Sequence, residues 1–302
     1  SLLTWVQSLS SKDLEVHFVM EATGVYHQKF AYYLEDKGFN LSIVLPNKIS
    51  NYMRTLDTKT ITDKTASQAI CQFGLERTLD FWKRPKRIYK ELQQLTRERS
   101  QIVDERVIVK NQLHAEKSEA LPNQNSVRRL KLRIEFLNKQ EQEIRIEIQE
   151  IVDSDPNLKK ELKNICTIPG VGILTAVIVL AETNGFELIR NKKQLTSYAG
   201  LDVKQKQSGT SVNKKTRISK KGNRNLRKAM HLPSLAAVKY NQTHKELYTR
   251  LLAKSGIKMK GLIAVQRKLL ELIYVIHKNK TVFHQNYEHE KRANDLKIQI
   301  AL

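Results

Sequence analysis

Three groups of residues in this 302-residue chain have types and spacing suited to chemistry. The first is acidic. Glu21 ends a stretch in which Leu14, Val16, Phe18 and Met20 alternate with other residues, the period of a half-buried strand. Open α/β sheets place their sites at such strand ends. Asp63 stands some forty residues later, at the start of a helix reading from Lys64 to Glu76. A carboxylate at a strand end and another at a helix start can share a divalent ion. Mg²⁺ needs only one or two protein carboxylates besides phosphate oxygens. The competing reading makes Asp63 the cap of its helix.

The second group is Ile168-Pro169-Gly170-Val171-Gly172, followed by an apolar helix from Ile173 to Leu180. A tight glycine turn between two helices leaves backbone N–H groups free at the second helix's N-terminus, where the dipole favours a DNA phosphate. Pro169, Gly170 and Gly172 are therefore candidate DNA-binding residues, the glycines allowing close backbone approach. The pattern resembles a helix-hairpin-helix motif. An ordinary interhelical turn is the alternative.

The third group runs from Val203 to Lys228 and holds ten cations without one acid: Lys204, Lys206, Lys214, Lys215, Arg217, Lys220, Lys221, Arg224, Arg227 and Lys228. A solvated face mixes signs, so this run favours contact with a nucleic-acid backbone. It reads as a Lys-rich loop, with Ser208-Gly209 inside it. Gly222-Asn223 opens a helix bearing Arg224, Arg227 and Lys228, and Asn223 joins the DNA-binding candidates. Ser219 reads as a residue beside that helix start, able to cap it.

The elements that must carry these groups fall into three stretches. Residues 1–85 read as strand, helix (Tyr26 to Lys37, with Phe30, Tyr33 and Leu34 on one face), strand (Leu41 to Leu45, stopped by Pro46-Asn47), a polar stretch, then the Lys64 to Glu76 helix. This order implies a parallel strand pair joined by a crossover. Two strands are too few for a stable sheet, so an upstream strand is expected. Residues 86–155 carry two heptad-like patterns around the break at Leu121 to Ser126. Arg99 and Arg106 sit on the first seam, and Glu141 is the polar residue of the second. An antiparallel coiled-coil hairpin follows, serving assembly into a homo-oligomer or spacing two domains. Residues 156–302 read as mostly helical, with a polar end from about Tyr287. The fold class expected is α/β plus all-α.

Composition bounds the partner. Fifty-three Lys and Arg against 31 Asp and Glu leave a net charge of +22 and a pI near 9.9, which calls for a polyanion. Cys71 and Cys166 lack metal or disulfide spacing, which suits a reducing cytoplasm. The longest apolar run, Ile173 to Ala181, is too short to span a bilayer. No signal peptide is visible, and without an initiator Met the chain is expected to begin inside a longer protein.

Taken in order, Met20-Glu21-Ala22-Thr23-Gly24-Val25-Tyr26, Thr62-Asp63-Lys64, Ile168-Pro169-Gly170-Val171-Gly172-Ile173-Leu174-Thr175-Ala176, Tyr198-Ala199-Gly200-Leu201, Gln207-Ser208-Gly209 and Ile218-Ser219-Lys220-Lys221-Gly222-Asn223 resemble the transposases of the insertion sequence 110 family. The resemblance covers nearly the whole chain. It implies a partial RNase-H-like domain similar to the Holliday-junction resolvase RuvC (1–85), a coiled-coil arm (86–155) and a helical transposase domain with a catalytic serine (156–302). It further implies Mg²⁺ held by Glu21 and Asp63, Ser208 as the nucleophile toward a DNA phosphate, and excision and insertion of an element guided by a structured RNA in a prokaryotic, nucleoid-associated setting. The chain departs from the family pattern twice. The family's first Asp, on the opening strand, has no counterpart, and its last acid falls on Ala66, with Asp57 a possible spatial substitute. A non-catalytic nucleic-acid-binding remnant and a junction-binding protein are the alternative functions.

Overall fold

The computed structural model describes residues 2–9, 15–56, 59–187, 189–208 and 212–284. Asp57, Gly209 and the polar stretch from about Tyr287 lie outside them. The chain divides into two compact units, 1–85 and 86–302.

In the first unit, α1 (Leu2–Leu9) precedes β1 (His17–Glu21), α2 (Tyr26–Asp36), β2 (Asn40–Val44), α3 (Pro46–Met53) and α4 (Asp63–Glu76). β1 and β2 pair in parallel, with Phe18 opposite Leu41 and Glu21 opposite Val44. The crossover is α2, whose buried face is Ala31 and Leu34; Tyr33, expected on that face, is exposed instead. Pro46 does not merely stop β2, and the expected polar stretch contains α3. Proline's fixed φ and missing N–H suit the first helical turn, and Ile49, Tyr52 and Met53 bury that helix against α4.

The second unit begins with a helical hairpin, α5 (Arg87–Ser118) and α6 (Gln124–Ser154). Leu92, Leu95, Ile102 and Val109 of α5 and Leu137, Ile144 and Ile148 of α6 are buried along the seam. Asn123 caps α6 through the N–H groups of Asn125 and Ser126. At the polar layer of the seam, Glu141 accepts from Arg99 at 2.6 Å, from Arg145 at 2.8 Å and from Arg106. Burial pushes the Glu141 carboxyl up, but the Arg145 and Arg106 hydrogen bonds and the Arg99 charge outweigh it and hold it at about 2.

Helices α7 (Pro156–Cys166), α8 (Ile173–Thr183) and α9 (Lys192–Tyr198) follow, and then a β-hairpin of β3 (Val203–Ser208) and β4 (Val212–Ile218). Next come α10 (Arg224–Ala229), α11 (His231–Tyr240), α12 (Gln242–Ser255) and α13 (Lys258–Asn279). One apolar core runs from Tyr89 of α5 through α8 to Ile273 and Ile276 of α13, so the base of the long hairpin and the C-terminal helices fold as one body. The loop expected between Val203 and Ile218 is an antiparallel ribbon with an irregularity between Lys204 and Lys206. Its residues offer no alternating apolar face, so the period that reveals a strand was missing from the sequence.

Candidate nucleic-acid interface

The acidic pair lies in the first unit. Glu21 closes β1, is half-buried, and accepts from Thr23 Oγ1 at 3.1 Å. Asp63 is the first residue of α4 and is exposed. The cap role read for Asp63 belongs to Thr62. Its hydroxyl accepts from the Thr65 N–H at 3.2 Å, and Thr65 Oγ1 in turn accepts from the Thr62 N–H at 2.9 Å, a closed capping box. That leaves the Asp63 carboxylate without a hydrogen bond or ion pair among the described residues. Helix α4 lies hard against β1: a Cβ at Gly74 would stand 2.8 Å from Val19 Cγ2. Ala66, one turn beyond Asp63, packs on the apolar cluster with Val19, Ile70 and Phe73. Among the described residues, no three carboxylates, histidines or cysteines converge.

In the second unit, the Pro169–Gly172 turn joins α7 to α8 as read from the sequence. Gly170 has φ +91°, and a Cβ there would lie 2.9 Å from Pro233 O and 3.0 Å from Ala237 N. Close packing of the turn on α11 of the same chain therefore already requires this glycine. Gly172 is different: open space surrounds it, and it caps α8 with no side-chain hydrogen bond and no acid in the first turn. The N–H groups of the first turn of α8 remain available to an anion.

The basic run separates into three sets. Lys204, Arg217, Lys220, Lys221 and Arg224 are exposed, and their side chains have no partner among the described residues. Lys206 pairs opposite Lys214 in the ribbon, and Lys215 lies beside it on β4. The remainder are engaged within the chain, Arg227 half-buried and Lys228 exposed. Arg227 Nη1 donates to Ala199 O at 2.8 Å and Gly222 O at 3.1 Å, and Lys228 Nζ reaches Asp104 on α5 at 2.6 Å. Asn223 caps α10 by accepting from the Leu226 N–H at 2.9 Å while its Nδ2 donates to Glu182 at 2.6 Å. Ser219, read as a cap, instead donates to Asp202 at 2.5 Å and ties the two ends of the ribbon together. Ser208 ends β3 opposite Val212, with an exposed side chain.

Sequence reasoning missed the residue that organises this region. Glu182, its side chain fully buried, accepts two hydrogen bonds from Arg97 at 2.8 Å, one from Asn223 and one from Asn225 at 3.0 Å. Burial raises its carboxyl and the Arg97 and Asn223 contacts overcome that, so the net shift is downward and the group stays ionised. An acid inside the apolar helix Ile173–Thr183 was the available signal, because an unpaired buried carboxylate is too costly to keep.

A sequence profile of the Transposase IS116/IS110/IS902 family matches residues 162–249, the stretch holding the Gly turn, the Glu182 cluster and the ribbon. A second profile, for the DEDD transposases of the IS110 type, matches residues 1–118. The chain belongs to the IS110 family of transposases. It is 27% identical over 307 aligned residues to the pilin gene-inverting protein of Moraxella bovis, covering 97% of this chain and 88% of that one. The corresponding protein of Moraxella lacunata is similar to the same extent. A 43.6 kDa protein of insertion element IS110 from Streptomyces coelicolor is 27% identical over 119 residues, 39% of this chain and 29% of its own. IS110-family membership makes DNA transposition or recombination the activity class, DNA the partner and a divalent metal the implied cofactor. Among the described residues, no helix is long and apolar enough to cross a membrane.

Proposed function

We propose that this chain cleaves and rejoins DNA strands through Ser208, moving or inverting a DNA segment. The observation that carries this reading is the position of Ser208 in an acid-free basic run: an exposed hydroxyl ending β3, with unpartnered cations on the same ribbon. The Ser208 Oγ attacks a DNA phosphorus, a phosphoserine ester forms as one strand oxygen leaves, and the hydroxyl proton passes to solvent. The freed hydroxyl of the exchanging strand then attacks that ester and restores Ser208. One phosphodiester is exchanged for another, so no free end or high-energy cofactor is needed. The lysines and arginines of the basic run offset charge developing on the phosphate.

Glu21 and Asp63 are hard oxygen donors without a cationic partner among the described residues, a donor set that suits Mg²⁺ held by few carboxylates and by phosphate oxygens. The ion would polarise a phosphate oxygen and stabilise a leaving oxygen. The first unit is proposed to be RuvC-like, and the arm α5–α6 to be a coiled coil that assembles copies of the chain. A structured RNA is proposed as the guide to target choice. The two Moraxella relatives are named for gene inversion, and inversion is strand exchange of the same kind.

The test is a denaturing gel of the protein incubated with end-labelled DNA of its element and Mg²⁺. A protein–DNA adduct is expected, absent in Ser208→Ala. Recombination undiminished in Ser208→Ala would remove the nucleophile assignment. A second reading, a binding remnant without cleavage, is favoured by Ala66 standing in the apolar cluster where the family carries an acid. It predicts DNA binding with no adduct under any metal.

A further inference from the structure

Beside the ribbon, a groove of about 570 Å³ opens between β3–β4 and the α12–α13 corner. Three of its apolar residues, Val203, Ile257 and Met259, are about half exposed, at 56%, 46% and 52%. Leu201, Ile218 and Ile263 form the floor beneath them. Such a cluster costs free energy in water unless something covers it. The walls also carry Arg217, Lys220, Lys260 and Arg267, and among the described residues no acid lines the groove. The occupant is therefore flat or compact, apolar on its faces and linked to negative charge.

We infer that the groove holds an unstacked base of single-stranded DNA, with flanking phosphates on the four cations. This rests on the strand-exchange reading of Ser208 and adds a subsite to it. The base lies against Met259 and the aliphatic floor. Guanidinium planes and apolar side chains both serve as stacking surfaces for splayed bases. The groove joins the ribbon at Val203, five residues before Ser208 on β3, roughly 17 Å at strand rise. At ~3.4 Å per nucleotide, the held base is about five nucleotides or fewer from a phosphate at Ser208. Strand exchange requires bases to leave their old partners, and a pocket at that spacing keeps one from re-pairing.

The test compares two labelled oligomers of equal length and charge on the full chain: deoxythymidine and its abasic counterpart. The deoxythymidine oligomer is expected to bind about tenfold more tightly, the scale of one base stack. The double variant Ile257→Ala, Met259→Ala changes only exposed side chains. It is expected to remove that difference and leave abasic binding unaltered. Equal affinity of the two oligomers for the parent chain would overturn the groove while leaving the strand-exchange reading standing. Failure of both to bind would overturn the two together. Tighter binding of the matching RNA, or base-independent capture of an acidic amphipathic peptide that the double variant abolishes, would give the groove to a different occupant.

Discussion

Asn223 Nδ2 donates to Glu182 Oε2 at 2.6 Å, while the Oδ1 of the same side chain caps α10 at the Leu226 N–H. One amide thus links the end of the basic run to a carboxylate buried in α8, which Arg97 of the long hairpin grips from the other side. The ribbon bearing Ser208 leads into α10 through Ser219 and Gly222, so the Glu182 cluster fixes one end of the candidate DNA-binding surface.

Glu182→Gln should cost on the order of 3 kcal/mol, because the Arg97 guanidinium then keeps its half-buried place without a counter-charge. Urea unfolding measures the loss. The depressed carboxyl also sets a pH dependence. Its contribution is full above the unfolded value of about 4.3 and fades as the pH falls through the lower folded value. Parent and variant should therefore converge in stability toward acid, and a gap that stays constant with pH would refute the charge argument.

Glu141 makes the same argument at the hairpin seam. With its carboxyl held at about 2, stability is expected to decline between about pH 5 and pH 2. Glu141→Gln leaves Arg99 and Arg106, both about four-fifths buried, facing a neutral amide. The expected cost is about 3–5 kcal/mol by thermal or urea unfolding. A Glu141→Leu, Arg99→Met, Arg106→Met triple variant should recover most of it, since apolar replacement of a buried ion cluster is often neutral.

Gly222→Ala would bring a Cβ against Tyr198 O, with Gly200 N at 2.7 Å and Ser197 O at 2.9 Å. All three are backbone atoms and cannot swing aside. A loss of at least about 2 kcal/mol in stability is expected, together with weaker DNA binding as the ribbon's exit shifts. Gly172→Ala, which meets open space, should leave stability nearly unchanged.

The exposed cations should show themselves in salt dependence. Neutralising Lys204, Lys220 or Lys221 singly should reduce the slope of log affinity against log salt by about one each, uniformly across DNA sequences. Lys228→Ala should change that slope less, since Lys228 Nζ is engaged by Asp104, and should alter stability little because that ion pair is exposed on both sides. Filter binding at several salt concentrations separates the two classes.

Glu21→Gln and Asp63→Asn should each abolish metal-dependent cleavage while leaving DNA affinity within about twofold. Isothermal titration of Mg²⁺ into the DNA complex checks the metal directly, and unchanged titration in both variants would remove the pair from the metal site.

Much of the plan was legible in the residue order. Local periodicity marked β1, α2, β2 and α4, and the heptad steps located α5 and α6 with Arg99, Arg106 and Glu141 on the seam, because those signals depend only on neighbours along the chain. The glycine turn before α8 and the cations from Lys204 to Lys228 were equally visible. The sequence left α3 unread, since Pro46 signals both a strand's end and a helix's start. It also left the β3–β4 ribbon as a loop, because a strand pair without an apolar face has no period to read. Only tertiary structure decided which cations are free. Asn223, Arg227 and Lys228 look like their neighbours in sequence, yet contacts with Glu182, Ala199 and Asp104 engage them internally, and those partners come from distant segments. The same is true of the two glycines of the turn. Both allow close approach to a phosphate, but Gly170 is already pressed against α11, and Gly172 alone of the two faces open space.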